Sequence, residues 1–192
     1  PDLELRKRIL ARPFADDSAT ESAVNEIVRD VKRGGDKSLL RYAKILDGVA
    51  LESLYVSKEE IENSEFLVSS EVKEAITNAT INISKFHKAQ IAQDTDIETS
   101  PGVRCILRRS AIDRVGLYIP GGTAPLFSTL LMLAIPAKIA GCKDITIFTP
   151  PSKDGSVNNL ILYSAKVVGV NKIIKAGGAQ AIAAMAYGTE SI

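Results

Sequence analysis

The second half of the chain repeats one pattern three times: a short apolar stretch typical of a buried β-strand, followed by a helical stretch. The strands are predicted at residues 115–119, 144–149 and 172–175, and the helices at residues 126–140, 157–168 and 179–187. Strands that alternate with helices form a parallel sheet with right-handed crossovers. This repeat therefore predicts an open α/β arrangement for residues 114–192.

The loops after these strands are the expected place for a ligand, because open parallel sheets bind ligands beyond the carboxyl ends of their strands. The loops read PGGTAP, PPSKDG and AGGAQ. Two of them carry a glycine pair before a helix, which lets the backbone approach a ligand and presents free helix N–H groups to an anion. Neither matches G-x-G-x-x-G or the phosphate loop, and glycine pairs also mark tight turns. The glycine pairs are therefore compatible both with nucleotide binding and with ordinary tight turns.

Two side chains at this edge are candidates for recognition. Tyr118 ends the first strand, where a phenol can stack against a flat ring and offer its hydroxyl; the alternative is core packing. Gln180 falls in the first turn of the third helix, where its amide can donate and accept hydrogen bonds. The alternative for Gln180 is an ordinary polar residue at a helix start.

The first 93 residues are predicted to be mostly helical, because apolar side chains recur there every three or four positions between capping and stop signals. The predicted helices run from Leu3 to near Pro13, from a Ser18/Glu21 capping box to Gly34 and Gly35, from an Asp36 cap to Gly48, from a Ser57/Glu60 capping box past Ile61, and over residues 70–93. In the third of these, Leu39, Leu40, Ala43 and Leu46 are expected to face inward, and in the last, a stripe from Val72 to Phe86.

Three shorter patterns complete the prediction. Residues 54–56 read as a short strand, and residues 96–99 and 103–108 as a hairpin around a Pro-Gly turn. The pattern changes near residues 110–114, which we take as a domain boundary. Pro136 lies inside a predicted helix, so we expect a kink or break near Ile135, or two short helices.

Composition excludes several classes of protein. The 24 basic and 23 acidic side chains nearly cancel, which argues against a nucleic-acid-binding face. Ser128, Pro136 and Lys138 interrupt the longest apolar run, so no membrane span is expected, and no export leader is expected either. Cys105 and Cys142 are expected to be reduced packing residues, which is typical of a cytoplasmic protein.

Catalytic groups are missing from the pattern. His87 is the single histidine and is expected to be a half-exposed surface residue. It cannot form a zinc site or a catalytic triad alone, and the acids Asp154 and Glu190 are isolated from one another. The sequence therefore predicts a binding platform with no catalytic and no metal-ligating residues of its own.

Longer motifs carry a specific resemblance. The segments VGLYIPGGTAPLFSTLLMLAIPAKIAGCKDITIFTPP at residues 115–151 and KAGGAQAIAAMAYGTES at residues 175–191 closely resemble histidinol dehydrogenase, as do PGVRC at 101–105 and RGGD at 33–36. The resemblance covers nearly the whole chain. It implies an NAD- and zinc-dependent enzyme that oxidises L-histidinol to L-histidine through histidinal in histidine biosynthesis. It also implies a cytoplasmic homodimer.

The resemblance also implies a fold and site residues. The fold expected is α/β of the aldehyde/histidinol dehydrogenase-like type: a helical N-terminal region followed by an incomplete Rossmann-like parallel α/β domain. Residues 1–113 would be the mostly helical part of a domain completed by later sequence, and residues 114–192 the incomplete NAD-binding domain. Tyr118 and Gln180 correspond to NAD-contacting positions of the family.

Family chains are more than twice as long, and their Glu-His pair, zinc ligands and histidinol ligands belong to later sequence. We therefore expect an N-terminal fragment that lacks turnover. The main alternative is a noncatalytic nucleotide-binding or regulatory module, and a third is a half-domain whose role is dimer contact.

Overall fold

The computed structural model describes residues 2–11, 17–122 and 124–192. Its α-helices are α1 (Leu3–Leu10), α2 (Ser18–Tyr42), α3 (Lys58–Asn63), α4 (Ser70–Lys88), α5 (Phe127–Ile139), α6 (Asn159–Val168) and α7 (Gly178–Tyr187). Its strands are β1 (Thr95–Ser100), β2 (Val103–Leu107), β3 (Arg114–Tyr118), β4 (Asp144–Thr149) and β5 (Lys172–Lys175). A π-helical turn, Ala43–Asp47, follows α2, and a 3-10 turn, Ser64–Leu67, follows α3.

The last three strands form one parallel sheet in the order β3-β4-β5. Tyr118 pairs with Phe148, and Phe148 pairs with Ile174, so the carboxyl ends of all three strands lie at one edge. Each strand is followed by its predicted helix. The predicted α/β fold, a helical N-terminal region followed by a parallel sheet, is therefore confirmed.

Helices cover both faces of this sheet. Successive side chains of a strand point to opposite faces, so Ile147 lies on one face and Phe148 on the other. The Ile147 face packs against α5 and α6, with α3 and α4 outside them. The Phe148 face packs against α2 and α7. Residues on both sides of position 114 contribute to each core, and the proposed domain division at that position stays a prediction.

The predicted strand at residues 54–56 covers the outer edge of β5. The Val56 N–H donates to the Ile173 carbonyl at 3.0 Å, and the Lys175 N–H donates to the Leu54 carbonyl at 2.7 Å. Tyr55 forms an antiparallel bridge with Ile174. An uncovered strand edge exposes unpaired backbone groups, so this contact protects the sheet on the β5 side.

Helix α2 differs from its prediction in two places, at its N-cap and at the glycine pair that was expected to end it. Its N-cap is Asp17, one residue before the expected Ser18, and no side-chain hydrogen bond caps it. The expected stop at the glycine pair is a kink: Gly35 has φ 50 and ψ −133, and the helix then resumes as far as Tyr42. The chain therefore bends at Gly35 without a loop.

We expected the Asp36 side chain to cap the resumed helix, and this expectation is wrong. Its carboxylate accepts hydrogen bonds from the hydroxyl of Thr189 at 2.5 Å and from the hydroxyl of Ser191. Its own N–H donates to the carboxylate of Glu190 at 2.8 Å. We call the contacts of Asp36 with residues 189–191 the kink clasp. A Cβ at Gly35 would collide with the Glu190 Oε2 and would displace that carboxylate, while the φ of 50 at this position favours glycine by itself.

Several other expectations have a clear outcome. The Ser57/Glu60 capping box is confirmed, and so is the stop at Gly48, which has φ 74. Helix α5 runs unbroken through Pro136, so the expected break near Ile135 and the alternative of two short helices are both wrong, and the kink stays a prediction. The expected stop of α1 near Pro13 lies outside the described residues.

Some side chains expected in the core are exposed. Leu46 is 55% exposed and Phe86 is 64% exposed. Cys105 is an exposed free thiol rather than a packing residue, whereas Cys142 is half-buried. Cys105 lies on the predicted hairpin, which is confirmed as β1 paired with β2, and every residue of both strands is exposed.

Candidate functional site

A cleft of about 470 Å³ opens at the carboxyl ends of the parallel strands. Its walls are the loop after β3, the loop after β4 with the start of α6, and Gly178 at the start of α7. Asp47, at the end of the π-helical turn, completes the lining. The cleft therefore occupies the edge of the sheet at which the sequence pattern places a ligand.

Pro150 brings the three loops together. A Cβ at Gly121 would collide with the Pro150 ring, and a Cβ at Gly177 would lie 2.7 Å from the Pro150 Cβ. By contrast, a Cβ at Gly122 would have no atom within 4 Å. The first glycine of each pair is therefore needed for packing against Pro150, and Gly122 is the position that faces open space.

Tyr118 borders this cleft from the end of β3 and is half-buried. Its hydroxyl accepts a hydrogen bond from the Gly178 N–H at 3.2 Å. Because the hydroxyl acts as an acceptor in this bond, its proton stays available to donate to a ligand. Strand β3 and the start of helix α7 thus hold the phenol in a defined position at the cleft wall.

Gln180 lies behind the same wall. Only 2% of it is exposed, and its Oε1 is buried with no hydrogen-bond donor among the described residues. A Cβ at Gly178 would lie 2.7 Å from that oxygen. The structure therefore brings both predicted residues to Gly178, Tyr118 as part of the cleft lining and Gln180 beneath it. Their role as cofactor contacts stays a prediction.

Asp47 is a cleft residue that sequence reasoning missed. Its Oδ2 is buried without a hydrogen-bond partner, and burial raises the pKa of the Asp47 carboxyl above its ordinary value. Among residues 2–11, 17–122 and 124–192, no lysine or arginine forms an ion pair with it. In the sequence it is only an acid beside the helix stop at Gly48, and this pattern does not predict that Asp47 lies at the edge of the parallel sheet.

The other charged groups near the cleft differ from Asp47. Asp154 accepts hydrogen bonds from the Ser156 hydroxyl at 2.7 Å and from the Ser156 N–H at 3.0 Å, and these bonds lower the pKa of its carboxyl. It therefore stabilises its own loop. Lys153 is exposed at the cleft rim. Asp47 is thus the one carboxylate among the described residues that line the cleft.

The described residues hold no group of three His, Cys, Asp or Glu side chains that could bind a metal ion. His87 is half-exposed on α4, as expected, with its ring edge-to-face with Phe86 at a centroid distance of 5.5 Å. Within the same described part of the chain, no helix has the length and apolar character to cross a membrane. The cleft can hold a ligand with a flat ring and hydroxyl groups, and the side chains described around it offer no acid–base pair.

Comparison with known proteins gives one consistent result. The family model described as histidinol dehydrogenase matches residues 10–192. Histidinol dehydrogenase from Bacteroides thetaiotaomicron is 50% identical over 192 residues, which is 100% of this chain and 45% of that protein. The protein of the same name from Bacteroides fragilis is 52% identical over the same share of each.

A solved structure gives the same match. The crystal structure of histidinol dehydrogenase from Elizabethkingia anophelis superposes with a TM-score of 0.93 at 45% identity, over 100% of this chain and 44% of that chain. The chain thus spans less than half the length of these relatives.

Proposed function

The chain belongs to the histidinol dehydrogenase family, and from this premise we propose that it supplies the NAD-binding half of an enzyme that oxidises L-histidinol to L-histidine through histidinal. The family is an oxidoreductase family of histidine biosynthesis. We propose that the whole enzyme requires zinc and is a cytoplasmic homodimer that binds neither nucleic acid nor a membrane. The observation that carries the proposal is the cleft at the carboxyl ends of β3, β4 and β5, with the Tyr118 phenol fixed at its wall.

The cleft fits a dinucleotide in chemistry as well as in place. The Tyr118 ring provides an aromatic surface and a free hydroxyl proton, and the open space at Gly122 allows the backbone to approach a ligand. The Gln180 Oε1 is buried next to Gly178 without a hydrogen-bond donor among the described residues, and we propose that a donor group of the bound dinucleotide pairs with it. When bound, NAD supplies a hydride acceptor, and the residues named here bind and orient it.

Zinc does not fit the residues described. No set of three ligand-type side chains converges among them, and His87 lies on α4 rather than in the cleft lining. We therefore propose that the zinc ligands of the whole enzyme belong to sequence outside these residues. We propose that the 192-residue chain binds NAD but does not turn over histidinol.

Binding is tested by titrating the purified chain with NAD in a calorimeter. Tyr118→Leu removes the ring and is expected to weaken binding by about 10-fold or more, since stacking on an aromatic side chain contributes roughly 1–3 kcal/mol. Tyr118→Phe keeps the ring and is expected to cost less, on the order of 5-fold, through loss of hydroxyl hydrogen bonds.

Tyr187→Leu is the matched control, because Tyr187 is 53% exposed on α7 and does not line the cleft. Equal losses from the Tyr118 and Tyr187 variants would contradict the assignment of the cleft. Turnover is tested separately, by following NADH formation from L-histidinol with NAD and zinc present. NADH production by the 192-residue chain would contradict the second half of the proposal.

A further inference from the structure

Asp47 occupies a position that the stability of the fold does not explain. It lies in the last turn of a helical segment, where the negative end of the helix dipole disfavours a carboxylate. Its buried oxygen has no hydrogen-bond donor and, in the described chain, its carboxylate has no cationic partner. Buried polar groups without partners are rare in folded proteins and are found at binding sites. A ligand in the adjoining cleft would supply the missing donor.

The residues next to Asp47 place it beside the loop that follows β4. A Cβ at Gly155, in that loop, would lie 3.6 Å from a Val49 side-chain atom and 3.5 Å from a Leu51 side-chain atom. In doubly wound sheets, the end of the second strand is where an acid reads the ribose hydroxyls of a dinucleotide. Asp47 therefore borders the part of the cleft that suits the adenosine half of such a ligand.

The second strand of this sheet carries no such acid itself. β4 ends at Thr149 and continues into Pro150 and Pro151. The nearest acid in the loop is Asp154, and both of its hydrogen bonds go to Ser156. The end of β4 therefore provides no carboxylate to bind the ribose. Asp47, from the π-helical turn after α2, provides a carboxylate at the same cleft.

We propose that Asp47 accepts hydrogen bonds from the adenosine ribose hydroxyls of NAD and makes the cleft select NAD over NADP. This inference rests on the proposed function of the cleft. A carboxylate satisfies hydroxyl donors, whereas it repels the phosphate that NADP carries on the same ribose. The ribose hydroxyls therefore supply the donors that the Asp47 carboxylate lacks. A phosphate on the same ribose would lie against this carboxylate, which forms no ion pair with Lys153 at the cleft rim or with any other described lysine or arginine.

The test compares the affinities of the 192-residue chain for NAD and for NADP, before and after Asp47→Asn. Asparagine keeps the size of the side chain and removes its charge. NAD affinity is expected to fall by about 10-fold, the usual effect of losing a charged hydrogen-bond acceptor. NADP affinity is expected to stay constant or rise, so the preference for NAD falls by at least about 10-fold.

Two further measurements make the result specific. Glu52→Gln removes one negative charge at an exposed residue outside the cleft and is expected to change neither affinity. NAD that lacks the 2′-hydroxyl or the 3′-hydroxyl of the adenosine ribose is expected to bind the unchanged chain more weakly. For at least one of these analogues, Asp47→Asn should cause little additional loss, because the partner hydroxyl is already absent.

The possible outcomes separate the two proposals. If the unchanged chain does not bind NAD, the proposed function fails and this inference fails with it. If the chain binds NAD and Asp47→Asn leaves the ratio of the two affinities unchanged, the inference alone is overturned. Circular dichroism and thermal unfolding of each variant establish that the comparison is made between folded proteins.

Discussion

At the scale of the residue, Asp47 illustrates a side chain that lowers the stability of the free protein. Burial raises the pKa of its carboxyl in the folded chain above the ordinary value of 3.8. The folded state therefore disfavours the ionised form relative to the unfolded state. This cost is absent below pH 3.8, develops as the pH rises through the raised pKa, and is complete above it.

We predict from this that Asp47→Asn stabilises the chain without ligand at neutral pH. The expected gain in the free energy of unfolding is up to about 1 kcal/mol, because partial exposure reduces the full penalty of an unpaired group. Thermal unfolding at a series of pH values should show the gain shrinking as the solution is acidified. A gain that is independent of pH would contradict the electrostatic explanation.

The glycines at the cleft are not equivalent residues. Gly121 packs against Pro150, whereas Gly122 faces open space. We predict that Gly121→Ala destabilises the protein by about 1–3 kcal/mol through overpacking. Gly122→Ala is its matched control and should change the free energy of unfolding by less than about 0.5 kcal/mol. Urea unfolding measures both, and equal effects would show that the loops do not depend on Pro150.

At the scale of the element, the sequence pattern predicted those helices, strands and caps that are determined by interactions between residues close in the chain. The β4 and β5 strands have the bounds that their apolar runs indicate, and the Ser57/Glu60 capping box forms because both partners lie within one turn. All three strand–helix units and the loops between them were likewise visible in the sequence. These elements place Tyr118 at the cleft, which is why the ligand edge could be predicted.

The wrong predictions have long-range causes. Asp36 has a local pattern typical of a helix cap, but its hydrogen-bond partner Thr189 lies 153 residues away. Pro136 removes one helix hydrogen bond, yet α5 continues because neighbours such as Leu131 and Ala134 are fully buried against the sheet. Asp47 reaches the cleft only because the helical layer packs on the sheet. No nearby residue signals any of these three contacts.

The kink clasp gives a prediction at this scale. Asp36→Ala removes the acceptor for Thr189 and Ser191 and leaves their hydroxyls without that partner. We expect a loss of about 1–3 kcal/mol in the free energy of unfolding, together with faster hydrogen exchange in residues 188–192. Glu74→Ala, at an exposed position on α4, is the control and should change neither. Unchanged exchange in residues 188–192 would show that the clasp does not hold this segment.

At the scale of the whole molecule, the surface is large for the mass of the chain. The accessible surface is 12879 Å² for 20.6 kDa, whereas a compact monomer of that mass exposes about 8,900 Å². The excess, about 4,000 Å² on one chain, is larger than the roughly 1,000–2,500 Å² that each partner of an obligate interface commonly buries. Part of it is the hairpin, where Ile97, Ile106 and Leu107 are each more than half exposed.

We therefore predict that the isolated chain self-associates as its concentration rises. Sedimentation velocity over a dilution series should show assemblies that dissociate on dilution. Replacing Ile97 and Leu107 with threonine keeps β-strand propensity, removes apolar surface, and should weaken the association. A single monomeric species at every concentration would contradict the prediction.

The kink clasp also bears on how the chain folds. It joins Asp36 to Thr189, 153 residues later, so it closes a loop that contains the whole sheet. Closing so long a loop costs chain entropy, and this cost is offset only when the core has packed. We therefore expect contacts of this range to form late in folding. The clasp is therefore expected to act mainly on the rate of unfolding: without it the protein should fold at nearly its usual speed and come apart sooner.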